Sequence, residues 1–171
     1  YPLRRQRQMC IRDSNKTNYK LVNILSSKNK TILGASPVTW LKSIKNETEM
    51  KGRRAAMVRD GAAMVQFLYW LDTHIGKENI TELDIAEKLR EFRGRQALYK
   101  GESFGTIAGY REHGAIVHYS ATPESNSQLK PEGFVLVDSG AQYLDGTTDI
   151  TRTIVLGPLT DEEIRDYTLV L

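Results

Sequence analysis

The spacing of apolar positions changes character once along the chain, from steps of three and four to alternation by two. Met50, Met57, Gly61, Met64, Leu68, Leu71 and Ile75 recur at helical steps, which predicts a long amphipathic helix starting behind Asn46 and ending near Gly76. Methionines on such a stripe can form a soft binding face, but at this period they are expected to pack a core. Thr81 followed by Leu83, Ala86, Leu89 and Phe92 predicts a second helix closing at Gly94. Upstream, Ser36-Pro37 opens a short helix through Ile44, with serine as cap and proline in the first turn. Beyond Gly94 the period becomes that of strands, over Ser103–Ala108, Gly114–Tyr119, Phe134–Gln142 and Thr147–Leu156. Thr160-Asp-Glu-Glu163 then supplies an N-cap and an acidic first turn for a last helix. Two long helices ahead of a strand-rich stretch predict an α+β fold, an antiparallel sheet with helices on one face.

Two acids interrupt the strand pattern. Asp138 follows the apolar run Phe134–Val137, and Asp149 precedes Ile150–Leu156, with the turn signal Asp145-Gly146 between them. Each is expected inside a strand and half-buried, where a lone carboxylate costs several kcal/mol unless paired, hydrogen-bonded or bound to a cation. A divalent cation would relieve both carboxylates at once. A plain turn at Asp145-Gly146 would set Asp149 opposite Gln142, about 13 Å along the strand from the level of Asp138 at roughly 3.3 Å per residue. Convergence therefore requires a wider loop, or a bulge around Gly140 or Thr147-Thr148. On spacing alone, a capping Asp149 beside a satisfied buried Asp138 is an equal alternative.

The run Asp138-Ser-Gly-Ala-Gln-Tyr-Leu-Asp-Gly-Thr-Thr-Asp149-Ile-Thr-Arg-Thr153 closely resembles the metal-binding hairpin of the creatinase/aminopeptidase family, and within it the Xaa-Pro aminopeptidases. Ile116-Val-His118-Tyr119 resembles the family's segment carrying an active-site histidine, and Ile44–Met50 the start of its first long helix. The similarity runs in order from about Leu21 to Leu171. It implies the first half of a pita-bread fold, two long helices on a curved antiparallel sheet, truncated at the C-terminus. Asp138 and Asp149 would be metal ligands, and His118 a catalytic histidine on the substrate side. The cofactor implied is two divalent metal ions, manganese first, with zinc or cobalt as alternatives. One His and two Glu ligands would follow beyond Leu171, so the fragment alone is expected to be inactive. The substrate implied is a peptide with proline in second position, in a cytoplasmic enzyme; a homodimer of the full-length parent is compatible with the resemblance. The competing readings are a non-catalytic pita-bread module that binds peptide or protein, and a prolidase- or creatinase-type hydrolase.

The ends alter the domain picture. Met9-Cys-Ile-Arg-Asp-Ser14 reads as one frame of a transposon-end adapter, so residues 1–14 are expected to be non-native. Residues 15–36 are expected to be the tail of a preceding domain and a connector, and 37–171 the N-terminal part of the catalytic domain. Arg4, Arg5, Arg7 and Arg12 against Asp13 account for the whole formal net charge of +3. The balanced remainder predicts no nucleic-acid partner and no anionic membrane. Cys10, the single cysteine, lies in the same segment, which leaves the rest without disulfides or thiolate sites. No run reaches about 18 apolar residues, so no membrane span is expected.

Other residues read more plainly. His113 is expected in a loop beside the site, and His74 at a helix end where the dipole favours it. Arg152 is expected to pair with an acid on the sheet, and Arg90–Arg95 to form a solvated helix face. Asn79 begins an N-glycosylation pattern of the kind that often occurs by chance. Gly101–Gly105 lacks the strand-to-helix context of a phosphate loop.

Overall fold

A computed structural model describes residues 10–13, 18–27 and 30–171. The chain parts into one unit ending at Asn46 and a second from Glu47 to Leu171. In the first, strands β1 (Cys10–Asp13) and β2 (Lys30–Leu33) pair in parallel, Cys10 beside Lys30 and Asp13 beside Leu33. Parallel neighbours need a crossover, and helix α1 (Tyr19–Ser26) lies between them in sequence, capped by the Asn18 side chain, which accepts from Lys20 N at 2.9 Å. Helix α2 (Pro37–Ser43) falls on the first unit's side of the division. Pro37 opens it as expected, but Ser36 makes no capping bond through its side chain. Of the expected non-native segment, only Cys10–Asp13 lies within the described residues.

The second unit begins with helix α3 (Glu47–His74), 28 residues long. Its buried face is Ala56, Asp60, Ala63, Met64, Phe67 and Leu71. Met64 and Leu71 therefore pack inward as expected, whereas Met50 and Met57 are exposed. The reason is steric: an added Cβ on Gly52 would lie 2.2 Å from the Asp145 carbonyl oxygen, and one on Gly146 would lie 3.0 Å from Ala56 Cβ. Small residues let a turn of the sheet sit on the helix backbone, and that choice of face turns the bulky methionines outward.

Helix α4 (Glu82–Gly94) starts where its sequence signal places it, with Thr81 and Asp84 in a reciprocal capping box. Four strands follow the helices into one antiparallel sheet: β3 (Tyr99–Tyr110), β4 (Phe134–Tyr143) in the centre, and on the far side of β4 the short β5 (Gly146–Thr147) and β6 (Ile150–Val155). Helix α5 (Asp161–Val170) closes the chain with a second capping box, Thr160 with Glu163. Phe67, Leu71, Ile85 and Leu89 of the helices meet Val135 and Val137 of β4 in one core. Fully burying such side chains contributes about 1.5–3 kcal/mol each.

Two polar ties meet at Asp60, one from the neighbouring helix and one from the sheet. Arg93 donates Nε and Nη2 to the carboxylate of Asp60 at 2.8 and 3.0 Å, with both side chains fully buried. The Tyr143 hydroxyl donates to Asp60 at 3.0 Å. Arg93 thus departs from the solvated face expected for Arg90–Arg95: Asp60 lies one helix away and draws it inward, a relation between distant segments that helical spacing does not show. Nearby, Arg59 pairs with Asp145, and its guanidinium lies 5.1 Å from the centre of the Tyr143 ring.

Gly114–Tyr119 is not a strand. Arg111–Ala115 forms a 3₁₀ turn and the chain bends again through Ile116–His118. An added Cβ on Gly109 would lie 2.8 Å from Gly114 N, so the backbone folds back on the end of β3 instead of extending away from it. No described helix is long and apolar enough to cross a membrane.

Candidate metal centre

Burial alternates along β4. Val135, Val137, Ser139, Ala141 and Tyr143 face the helices, and Phe134, Leu136, Asp138 and Gln142 face the other way. The turn after β4 is Leu144-Asp145, because Tyr143 pairs with Gly146, and Gln142 with Thr147. That is one residue earlier than the Asp145-Gly146 turn expected from the sequence. The shift moves every later residue by two positions against β4, so Ser139 faces Ile150 and Asp138 faces Thr151. Asp149 accordingly falls opposite Gly140, not opposite Gln142.

This register settles the geometric difficulty. Residues opposite one another share a face, and so do Asp138 and position 140 of one strand. Asp138 and Asp149 are therefore diagonal neighbours on the face away from the helices, a relation in which Cα atoms stand about 7–8 Å apart. The position opposite Asp149 carries no side chain. A Cβ on Gly140 would lie 2.2 Å from both Ser103 Oγ and the Thr148 carbonyl oxygen.

Asp149 is not inside a strand and is not half-buried. It is exposed in the gap between β5 and β6. Thr148 opens that gap: its buried hydroxyl accepts from Ala141 N at 2.9 Å, where a regular ladder would use the backbone carbonyl. The displaced carbonyl accepts from Ser103 Oγ at 3.0 Å instead. The turn, and not the bulge expected around Gly140 or Thr147-Thr148, sets this register; an irregularity lies on the neighbouring strand instead, where the pairing of β3 with β4 shifts between Phe104, opposite Gly140, and Ile107, opposite Asp138.

Asp138 is half-buried, and its Oδ1 accepts from Thr151 Oγ1 at 2.8 Å. Neither aspartate has an ion-pair partner among the described residues, and Asp149 has no hydrogen bond among them. Arg152 does not serve as counter-charge; its Nη1 donates to the Thr151 carbonyl at 2.8 Å. Two uncompensated carboxylates on one face form a hard oxygen donor set of the kind that Mg, Ca, Mn and Zn accept. The fit is partial, since no three His, Cys, Asp or Glu side chains converge as metal ligands among the described residues.

His118 stands in the connection between β3 and β4, exposed and with a left-handed backbone at φ 58°. For a residue other than glycine that conformation is sparsely populated, and such strain gathers at functional positions. No contact joins His118 to either aspartate among the described residues.

What holds this connection escapes the sequence pattern altogether. Glu82, fully buried at the first turn of α4, accepts from Tyr110 N and His113 Nδ1 through Oε1, both at 2.8 Å. Through Oε2 it accepts from Ser127 N at 3.0 Å and the Tyr119 hydroxyl at 3.1 Å. Burial pushes the Tyr119 hydroxyl above its ordinary pKa, and the neighbouring Glu82 adds to the shift. In sequence, Glu82 reads only as a first-turn acid favoured by the helix dipole.

Residues 51–171 match the model of metallopeptidase family M24. Aminopeptidase P2 of Arabidopsis thaliana is 46% identical over 137 residues, covering 80% of this chain and 19% of that protein. A probable Xaa-Pro aminopeptidase P of Paracoccidioides brasiliensis is 42% identical over 160 residues, 92% of this chain and 26% of that protein. The crystal structure of the X-prolyl aminopeptidase of Caenorhabditis elegans, described as a cytosolic enzyme with a dinuclear active site, superposes with a TM-score of 0.87 at 34% identity over 94% of this chain and 26% of its own. The chain thus spans between a fifth and about a quarter of the length of these relatives. Helices on an antiparallel sheet, as seen here, are part of the pita-bread fold of those neighbours. With its paired aspartates on one sheet face and the family match running through them, the chain belongs to metallopeptidase family M24.

Proposed function

We propose that this chain is part of a dinuclear-metal aminopeptidase that releases the first residue of peptides with proline in second position. The observation that carries the reading is the diagonal pair Asp138 and Asp149, two carboxylates without counter-charge on one open face. The likeness to the X-prolyl aminopeptidase of C. elegans supports it. In this reading Asp138 and Asp149 hold two divalent cations, manganese before zinc or cobalt, with one His and two Glu supplied from outside these residues. The chemistry such a pair supplies is activation of a water and polarisation of the scissile carbonyl.

This chain's own residues orient and bind. Thr151 holds one oxygen of Asp138 and leaves the other without a hydrogen bond among the described residues. His118 offers a ring N–H to the substrate carbonyl as negative charge develops there, an interaction worth about 2.7–4 kcal/mol in comparable oxyanion sites. The setting is cytoplasmic, in line with the description of the C. elegans enzyme.

The reading is tested by expressing the full reading frame that carries this segment and assaying an Xaa-Pro-Xaa peptide with Mn²⁺ and with chelator. Metal-dependent release of the first residue supports it. A folded, metal-loaded protein that leaves Xaa-Pro peptides intact overturns it in favour of a binding module. Residues 1–171 alone, with two of the required donors, are expected to show no cleavage.

A further inference from the structure

We propose that Glu82 is a positioning residue for His118, setting where that histidine stands without touching it. The inference rests on the role given to His118 above. The four hydrogen bonds to Glu82 have an order. Tyr110 N and Ser127 N, the backbone donors, lie at the first and last residues of the stretch that carries His118. His113 and Tyr119, the side-chain donors, lie on either side of His118 within it. Each carboxylate oxygen takes one donor of each kind, so a single buried side chain ties both ends and both flanks of the loop. The Glu82 backbone N–H closes the ring by donating to the Ser127 carbonyl at 3.1 Å.

The remaining contacts make the clamp stiff around one residue. The rings of His113 and Tyr119 stack at 4.4 Å with 25° between planes. His118 lies between these two positions in sequence, on the exposed side of a turn whose flanking rings are pinned. A carboxylate has about four lone-pair sites and no donor, and here all four are used. The bond from His113 to this carboxylate corresponds to the tautomer with the hydrogen on Nδ1. A structural acid of the core would need only to be satisfied; this one draws all its outside partners from the His118 connection.

The test is a cycle of Glu82→Gln and His118→Ala in the full-length protein, read by kcat and KM on an Xaa-Pro-Xaa peptide. The amide keeps the shape of Glu82 but replaces one acceptor with a donor, so two of the four partners are lost. Glu82→Gln is expected to lower kcat by about tenfold to a hundredfold, the scale for a misplaced catalytic group, with little change in KM. In the His118→Ala background the same change is expected to cost almost nothing. A loss of equal size in both backgrounds overturns the proposal, because it would not pass through His118. Where Glu82→Gln does not fold, Tyr119→Phe removes a single donor and is read in the same cycle. Amide hydrogen exchange supplies a readout independent of activity: Ile116–Ser120 should exchange faster in Glu82→Gln while Val135–Val137 keep their protection. Unchanged exchange in the turn also overturns the proposal. If the wild-type protein does not cleave at all, the peptidase reading fails, and the exchange experiment still decides whether Glu82 holds the loop.

Discussion

Asp149 stands one diagonal step from Asp138 on the same face of the hairpin, brought there by a turn at Leu144-Asp145 and opposite Gly140, which carries no side chain. Neither carboxylate alone makes a site. In the full-length protein, Asp138→Ala or Asp149→Ala is expected to lower kcat at least a hundredfold, exceeding the roughly 10–100-fold typical of changes one shell further out. Both variants should keep the wild-type melting temperature within a few degrees and lose Mn²⁺ binding by calorimetry. Tight Mn²⁺ binding by Asp149→Ala would remove Asp149 from the site.

Thr151 tests the orientation of Asp138. Thr151→Val keeps the side-chain shape and removes the donor to Asp138 Oδ1. A hydrogen bond to a charged group contributes about 1.5–3 kcal/mol, and the exposure of Thr151 places the expected effect at the lower end, about tenfold in kcat/KM. Steady-state kinetics check this, and urea denaturation should show a stability loss below about 1 kcal/mol.

The buried Asp60–Arg93 pair should behave as a unit. Arg93→Met leaves Asp60 charged and without its partner, and is expected to cost about 3–5 kcal/mol in urea unfolding. Asp60→Leu with Arg93→Met should recover most of that loss, since an apolar pair of similar volume is often neutral. A double variant as unstable as the single one would show that the Tyr143 contact to Asp60, not the ion pair, is the larger contribution.

Two glycines of α3 predict opposite outcomes for one substitution. Gly52→Ala puts a Cβ against the Asp145 backbone and is expected to cost about 1–3 kcal/mol as the hairpin moves off the helix. At Gly61 nothing lies within 4 Å of an added Cβ. Gly61→Ala should therefore stabilise by about 0.8–1 kcal/mol through helix propensity. Thermal melts of both variants decide the matter, and equal shifts would contradict the packing described for Gly52.

Alkali should unfold the protein through its buried tyrosines. Burial raises the pKa of Tyr143, Tyr119, Tyr110 and Tyr99 above the ordinary value of 10.0, and for Tyr143 the Asp60 charge adds to it. Above pH 10 the unfolded chain releases phenolic protons that the folded chain keeps. The folded state then binds more protons, so stability present below pH 10 falls as pH rises past it. Tyr143→Phe should flatten that fall in denaturant melts at pH 9 to 11. An unchanged slope would assign it to the other tyrosines.

The sequence alone was sufficient for most of the helices and for the central strand. The capping boxes at Thr81 and Thr160, the long helix behind Asn46 and the strand run Phe134–Gln142 rest on interactions between residues a few positions apart, which spacing records. Asp138 and Asp149 stood out as acids beside apolar runs, although Asp149 lies exposed and outside a strand. Their relation was not legible in the sequence. Turn position depends on which residues α3 admits beside the hairpin, and the contact of Gly52 with Asp145 joins segments far apart in the chain. Arg93 falls on a helix face expected to be solvated, and Asp60 of another helix draws it inward; Glu82 carries no signal beyond its place in a first turn, and Tyr110, His113, Tyr119 and Ser127 converge on it only in the fold. Periodicity reports which side of an element is apolar. Only the packed structure decides which polar groups that side encloses, because a buried charge is stable only where distant donors arrive to satisfy it.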